Sequence, residues 1–304
     1  MRTQSNIGET MSAPPSSSAP HSSCHANPLI LAASLPRSLP DARIRYSDVS
    51  PVQFADLRLP HTMPPPGGFP VVIFIHGGGW LADWTKDYST LFVEALTNTG
   101  VATWDVEFRR MGHVGGGYPD VFHDVALAAD HLREVMRTYP LDLSRVIAVG
   151  HSTGGHLALW LAGRRNLDPA GPLYAVDPLP LHGVVSIGGV NDLEQALKLG
   201  NRTDILRMLG LANPEDAAAL FTETSPVHLL PLGIPQTLVI GELEEPWRIE
   251  MTLGYAQVAE KSGDRVRVVK PEDANHFDVI DPHAPVFAMI ASEIAMLAHG
   301  ISGD

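Results

Sequence analysis

A chain of 304 residues with 44% hydrophobic residues holds one large α/β domain or two small ones and has ample material for a buried core. Its formal net charge of −13 argues against nucleic acid or an anionic membrane surface as a partner. The single cysteine, Cys24, excludes an intrachain disulfide and a cysteine-rich metal site, and no apolar run approaches the roughly 18–20 residues of a membrane span.

Residues 1–40 read as a disordered Ser/Pro-rich tail, because a stretch such as Met11-Ser12-Ala13-Pro14-Pro15-Ser16-Ser17-Ser18-Ala19-Pro20 cannot build a core. The apolar patch Leu29-Ile30-Leu31-Ala32-Ala33 is short, late and poorly flanked by basic residues, so a cytoplasmic location is expected ahead of secretion. From residue 41 to 304 the pattern is that of one domain without repeat or linker. Arg43–Ser47 and Phe54–Leu59 alternate as edge strands do, and Pro70–Ile75 is an unbroken apolar run that predicts a central strand. A helix over Lys86–Asn98 and a strand over Val101–Val106 follow, and Pro119 opens a long amphipathic helix to about Thr138. Strand Val146–Val149 leads into the helical pattern from Leu157, and His182–Ile187 is the next strand. Residues 192–221 give short helical pieces (Asp192–Leu199, Thr203–Leu209, Pro214–Phe221) with exposed-looking Leu and Met, which reads as a small cap insertion. Strand Thr237–Ile240, helix Trp247–Lys261, strand Val266–Val269 and helix Pro285–Ala298 complete the chain. Alternation of this kind predicts a mostly parallel, doubly wound sheet.

Gly150-His151-Ser152-Thr153-Gly154 falls on the corner between the Val146–Val149 strand and its helix, where a G-x-S-x-G nucleophile elbow belongs. A serine hydroxyl needs a base, a group that orients the base, and donors for the developing oxyanion. His276, in Asp273-Ala274-Asn275-His276-Phe277, follows the last strand and therefore reaches the same carboxyl edge of the sheet as Ser152. Three carboxylates compete to orient it: Glu244 in the loop after Ile240 is preferred, with Glu245 and Asp192 as alternatives. His76-Gly77-Gly78-Gly79-Trp80 follows the Pro70–Ile75 strand, and its Gly78 and Gly79 N–H groups, with that of Thr153, would surround an oxyanion. No phosphate-binding glycine motif is present. The 14 histidines include no H-E-x-x-H, and His123 and His131 lack a third ligand nearby, so neither a metal nor a cofactor is expected. Arg109 and Arg110 are expected to pair with Asp120 or Asp124 rather than bind substrate, and Gly115-Gly116-Gly117 to form a flexible loop. Trp80 and Trp247 are open between substrate-pocket wall and ordinary packing.

The HGGGW run, the elbow and Asn275-His276-Phe277, in the order Ser…acid…His, resemble the α/β-hydrolase superfamily. More narrowly they are similar to its esterase/lipase group, which includes hormone-sensitive-lipase-type carboxylesterases and kynurenine formamidases. The resemblance implies Ser152 as nucleophile, His276 as base, Glu244 as acid and the glycine run as oxyanion hole. Relatives mostly carry Asp at the acid position, so the Glu-rich loop is a departure. The expected function is a serine hydrolase cleaving a small-molecule ester or activated amide through an acyl-enzyme, with arylformamidase as the alternative. A non-catalytic ligand-binding protein on the same fold is the competing class, and a homo-oligomer is left open.

Overall fold

The computed structural model describes residues 37–300, so the expected tail lies outside the described residues as far as residue 36. From Arg37 the chain is already held to the domain: Ser38 donates to Glu94 Oε1 at 2.6 Å and accepts from Arg58 at 2.8 Å. One eight-stranded sheet runs in the order β1-β2-β4-β3-β5-β6-β7-β8. Here β1 is Ala42–Arg45, β2 Phe54–Arg58, β3 Phe69–Ile75, β4 Ala102–Glu107, β5 Leu141–His151, β6 Gly183–Ile187, β7 Gln236–Val239 and β8 Val266–Val269. Pairing is antiparallel for β1–β2 and β2–β4 and parallel across the rest, which makes this the mostly parallel, doubly wound α/β-hydrolase sheet.

The apolar run in β3 explains its central place. All seven of its residues are buried, and side chains alternate across the sheet. Val71, Ile73 and Ile75 enter one core and Val72 and Phe74 the other. The first core is covered by the wholly buried Thr153–Gly163 helix, the second by Thr90–Thr97 and Phe287–Ala298. No helix of the described residues is long and apolar enough to cross a membrane.

Three expectations need adjusting. The Lys86–Asn98 helix begins as a 3-10 turn, Lys86–Ser89, before Thr90–Thr97. The long helix after Pro119 is interrupted at His131, giving Asp120–Asp130 and Leu132–Val135, with tightened three-residue hydrogen bonds from Arg137 and Thr138 closing its end. The insertion is helical where expected (Leu193–Gly200, Asp204–Met208, Ala217–Thr224), but its Leu206, Met208 and Leu209 are buried rather than exposed. They join the core that contains Trp80, and the Met208 carbonyl accepts from Tyr118 N–H at 2.7 Å. Arg202 of the insertion lies 5.9 Å from the Trp80 ring, so the insertion packs against the end of the His76–Trp80 run.

Candidate active site

The site begins with the corner after β5. Ser152 has φ 56° and ψ −122°, a conformation that costs about 1–3 kcal/mol and persists only where the surroundings enforce it. They do so by close approach. A Cβ on Gly154 would overlap the carbonyl oxygens of Ile75 and His76, and Ser152 N–H donates to the Ile187 carbonyl at 2.8 Å. The turn is thus wedged between β3 and β6, which leaves the hydroxyl at the carboxyl edge of the sheet.

The loops after β7 and β8 bring the other groups to that edge, and they are tied to each other. Glu242 N–H donates to the Pro271 carbonyl at 3.0 Å and Leu243 N–H to that of Ala274 at 2.9 Å. Asn275 Oδ1 accepts from Phe277 N–H at 2.8 Å and Asp278 N–H at 3.2 Å, which turns the backbone so that His276 points back over Ser152. His276 Nε2 lies 3.0 Å from Ser152 Oγ, and its Nδ1 lies 2.6 Å from Glu244 Oε1. A carboxylate only accepts, so Nδ1 holds the proton and Nε2 is free to accept from the serine hydroxyl.

Glu244 is the one of the three competing carboxylates that reaches the ring. Glu245 stands at the N-cap position of the Pro246–Lys261 helix without a side-chain capping bond, its side chain 64% exposed and 3.2 Å from Arg248. Asp192 caps the Leu193–Gly200 helix and accepts from Gln195 N–H at 3.0 Å. Burial pushes the Glu244 carboxyl up, while Arg248 beside it pulls down. Burial pushes the His276 imidazole down, and Arg248 pushes the same way. Arg248 stands 3.5 Å from Glu244 Oε2. No helical spacing pointed to it in the sequence, because Arg248 lies in the first turn of the Pro246–Lys261 helix and Glu244 precedes that helix.

The glycine loop meets the elbow from β3. A side chain at Gly77 would collide with the His151 carbonyl and Ser152 Cβ, and Gly78, with φ 106°, packs on Trp84. Gly77 N–H donates to Tyr88 Oη at 2.7 Å. The N–H groups of Gly78, Gly79 and Thr153 have no acceptor among the described residues.

Beneath this loop lies a buried cluster. His76 Nδ1–H donates to the Gly77 carbonyl at 2.8 Å, and the ring's other nitrogen faces Arg110 at 2.6 Å and Glu107 at 3.2 Å. Arg110 therefore departs from expectation by pairing with Glu107, whereas Arg109 pairs with Asp124 at 2.7 Å and Asp120 at 3.1 Å. Nor is Gly115-Gly116-Gly117 loose, since a Cβ on Gly116 would overlap the Arg110 backbone. Trp80 is 1% exposed with its ring edge-on to His156. Trp247 is half-buried between the guanidinium groups of Arg248 and Arg202, at 4.5 and 5.7 Å. A cavity of about 660 Å³ at the opposite, amino ends of β6–β8, lined by Arg145, His182 and Arg265 among others, is remote from Ser152.

Sheet topology and the sharp turn at its centre make this an α/β-hydrolase fold. Residues 55–244 match the BD-FAE family model, and the chain belongs to that family. It is 31% identical over 188 residues to the non-reducing polyketide synthase ausA of Aspergillus calidoustus, covering 54% of this chain and 7% of the synthase. It is 32% identical over 101 residues to neutral cholesterol ester hydrolase 1 of Bos taurus, covering 32% of this chain and 24% of that protein. The chain thus spans only a small part of these curated relatives. Among solved structures, esterase B from Lactobacillus rhamnosis in an inhibited form superposes with a TM-score of 0.75 at 19% identity, covering 90% of this chain and 91% of that one. A truncated carbohydrate esterase from gut microbiota gives 0.73 at 18%, covering 86% and 97%. Both are likenesses of fold.

Proposed function

We propose that the chain is a serine hydrolase that cleaves carboxylic esters through an acyl-enzyme. The observation that most supports this is the serine hydroxyl held at a strained corner 3.0 Å from an imidazole whose far nitrogen lies 2.6 Å from a buried carboxylate. Ser152 Oγ attacks the ester carbonyl carbon while His276 Nε2 takes the hydroxyl proton. Glu244 holds the ring's Nδ1–H and stabilises the imidazolium. The carbonyl oxygen becomes an oxyanion facing the N–H groups of Gly78, Gly79 and Thr153, each donor worth roughly 10²–10³ in rate. His276 gives its proton to the departing alkoxide, so an alcohol leaves and the acyl group stays on Ser152. Water, deprotonated by the same nitrogen, then attacks the acyl carbon and releases the acid, returning the proton to Ser152.

An ester is preferred over other acyl compounds because the solved structures with the same fold are named as esterases, and one relative as a cholesterol ester hydrolase. N-formylkynurenine is the competing substrate, from the glycine-tryptophan motif. Hydrolysis of a p-nitrophenyl ester chain-length series beside N-formylkynurenine decides between them. Ester turnover that declines with acyl length is the expected result. A far higher kcat/KM on the formamide would replace the ester assignment with a formamidase, and no turnover of any substrate, with Ser152 unreactive, would leave a non-catalytic binding protein.

A further inference from the structure

His151, between the elbow's first glycine and its serine, has no part in the steps above, yet it is 1% exposed and bonded at both ring nitrogens. Its Nε2 lies 2.8 Å from the carbonyl oxygen of His276, and its Nδ1 lies 2.7 Å from Tyr88 Oη. Tyr88 Oη in turn lies 2.7 Å from Gly77 N. These contacts leave one arrangement of protons. The His276 carbonyl can only accept, so His151 Nε2 carries the proton and donates it. In a neutral ring Nδ1 is then an acceptor, so Tyr88 donates its O–H there, and the phenol oxygen accepts from Gly77 N–H. A protonated His151 would present a second N–H to the Tyr88 oxygen and leave the phenol proton without its acceptor. Burial, with the His276 ring beside it, keeps His151 neutral by holding its pKa well below the usual histidine value.

The ends of this chain are the two loops whose separation matters most for the proposed reaction. Gly77 immediately precedes the oxyanion donors Gly78 and Gly79, and His276 is the base. Between them stand residues from two further elements, the Lys86–Ser89 turn and the elbow itself. The His151 ring also packs on those of His276 and Phe277, at centroid distances of 4.6 and 5.9 Å.

We propose that Tyr88 and His151 are positioning residues, forming a relay of three hydrogen bonds that fixes the oxyanion loop against the His276 backbone. Their role presupposes the serine hydrolysis proposed above. In that reaction the oxyanion donors act on the carbonyl oxygen and the base on the attacking and leaving oxygens of the same carbon, and a displacement of either loop by about 1 Å is worth on the order of 10²-fold in rate. Binding of the ester before attack needs no such spacing, so the relay acts on kcat rather than KM.

The test is steady-state hydrolysis of p-nitrophenyl acetate by wild type, Tyr88→Phe, His151→Leu, the double variant, His151→Gln and Ser152→Ala. Tyr88→Phe and His151→Leu are expected to lose about 10–100-fold in kcat with KM within about twofold. The double variant should fall no further than the worse single one, because the relay is one unit. His151→Gln should restore most of the lost kcat, since its amide can donate to the His276 carbonyl and accept from Tyr88. In the 15N NMR spectrum of histidine-labelled protein, the imidazole signals removed by His151→Gln should be those of a neutral Nε2–H tautomer, and their Nδ1 nitrogen should shift in Tyr88→Phe. Additive losses, a rise in KM alone, failure of Gln to rescue, or a charged or Nδ1–H His151 would each overturn the relay. Full activity in Tyr88→Phe beside an inactive Ser152→Ala would overturn it while leaving the hydrolase standing. A wild type that turns over no ester removes the hydrolase reading instead, and the NMR signature alone then decides whether the relay exists.

Discussion

Two buried glutamates in this molecule each face a histidine and an arginine, and their surroundings push them in opposite directions. Glu107 lies under the glycine loop with His76 and Arg110; Glu244 lies at the sheet edge with His276 and Arg248. Burial would push Glu107 up, but His76 and Arg110 beside it override that and pull it down from 4.5 to about 2. Its oxygens also accept backbone N–H groups from Lys86 at 3.1 Å and Phe108 at 3.2 Å, which further favour the charged form. At Glu244 the arginine stands back at 3.5 Å and burial prevails, pushing the carboxyl up while His276 is pushed down. What differs is distance and what the histidine's other nitrogen meets. His76 turns its other nitrogen to the Gly77 carbonyl, whereas His276 turns its own to a hydroxyl that can give up a proton. Close charge pairing makes a fixed support; loosened pairing with a hydroxyl in reach makes a place where a proton can move.

If that contrast is right, neutralising each glutamate should fail in a different way. Glu244→Gln should lower kcat by about 10⁴ by leaving the imidazole in the wrong tautomer, with the melting temperature little changed, as paired kinetic and thermal measurements would show. Glu107→Gln should do the reverse. It strands Arg110 in the interior, and breaking a buried pair costs about 3–5 kcal/mol, read as a fall in Tm larger than the loss of activity. The pH dependence of stability sharpens the point. Because the folded carboxyl titrates at about 2 and the unfolded one near 4.5, the stabilisation from Glu107 is complete above 4.5 and disappears as pH falls toward 2. It amounts to about 3 kcal/mol, and acid denaturation of Glu107→Gln should lack that component. The smallest effect is expected from Arg248→Met. Removing the cation lets His276 and Glu244 hold protons at higher pH, so the acid limb of kcat/KM moves upward. An unmoved limb would show that Arg248 does not tune the pair.

The sequence was most legible where one local pattern decides the outcome. An unbroken apolar run such as Val71–Ile75 has no place but the middle of a sheet, and a Gly-x-Ser-x-Gly corner between strand and helix fixes where Ser152 stands. The carboxylate that reaches His276 was half legible. Pro246 at the first helical position makes Glu245 the outward-facing N-cap residue, which leaves Glu244 on the turn closed by its own N–H to the Gly241 carbonyl at 3.2 Å. Arg109 and Arg110 could not be separated, because adjacent side chains past a strand end point opposite ways, and charge pairing alone does not say which. Tyr88 carried no signal at all. It is one aromatic in a short turn, and its partners Gly77 and His151 are supplied by two other parts of the chain. The break at His131 was hidden for a related reason, since the apolar periodicity continues through it while the backbone tightens.

The most direct measurement is mass spectrometry of the protein after reaction with a fluorophosphonate. The arrangement of Ser152, His276 and Glu244 predicts a single phosphonyl adduct on the peptide containing Ser152, formed rapidly in wild type, slowly in Glu244→Gln and not at all in Ser152→Ala. An adduct on another residue, or equal labelling of wild type and Ser152→Ala, would contradict it.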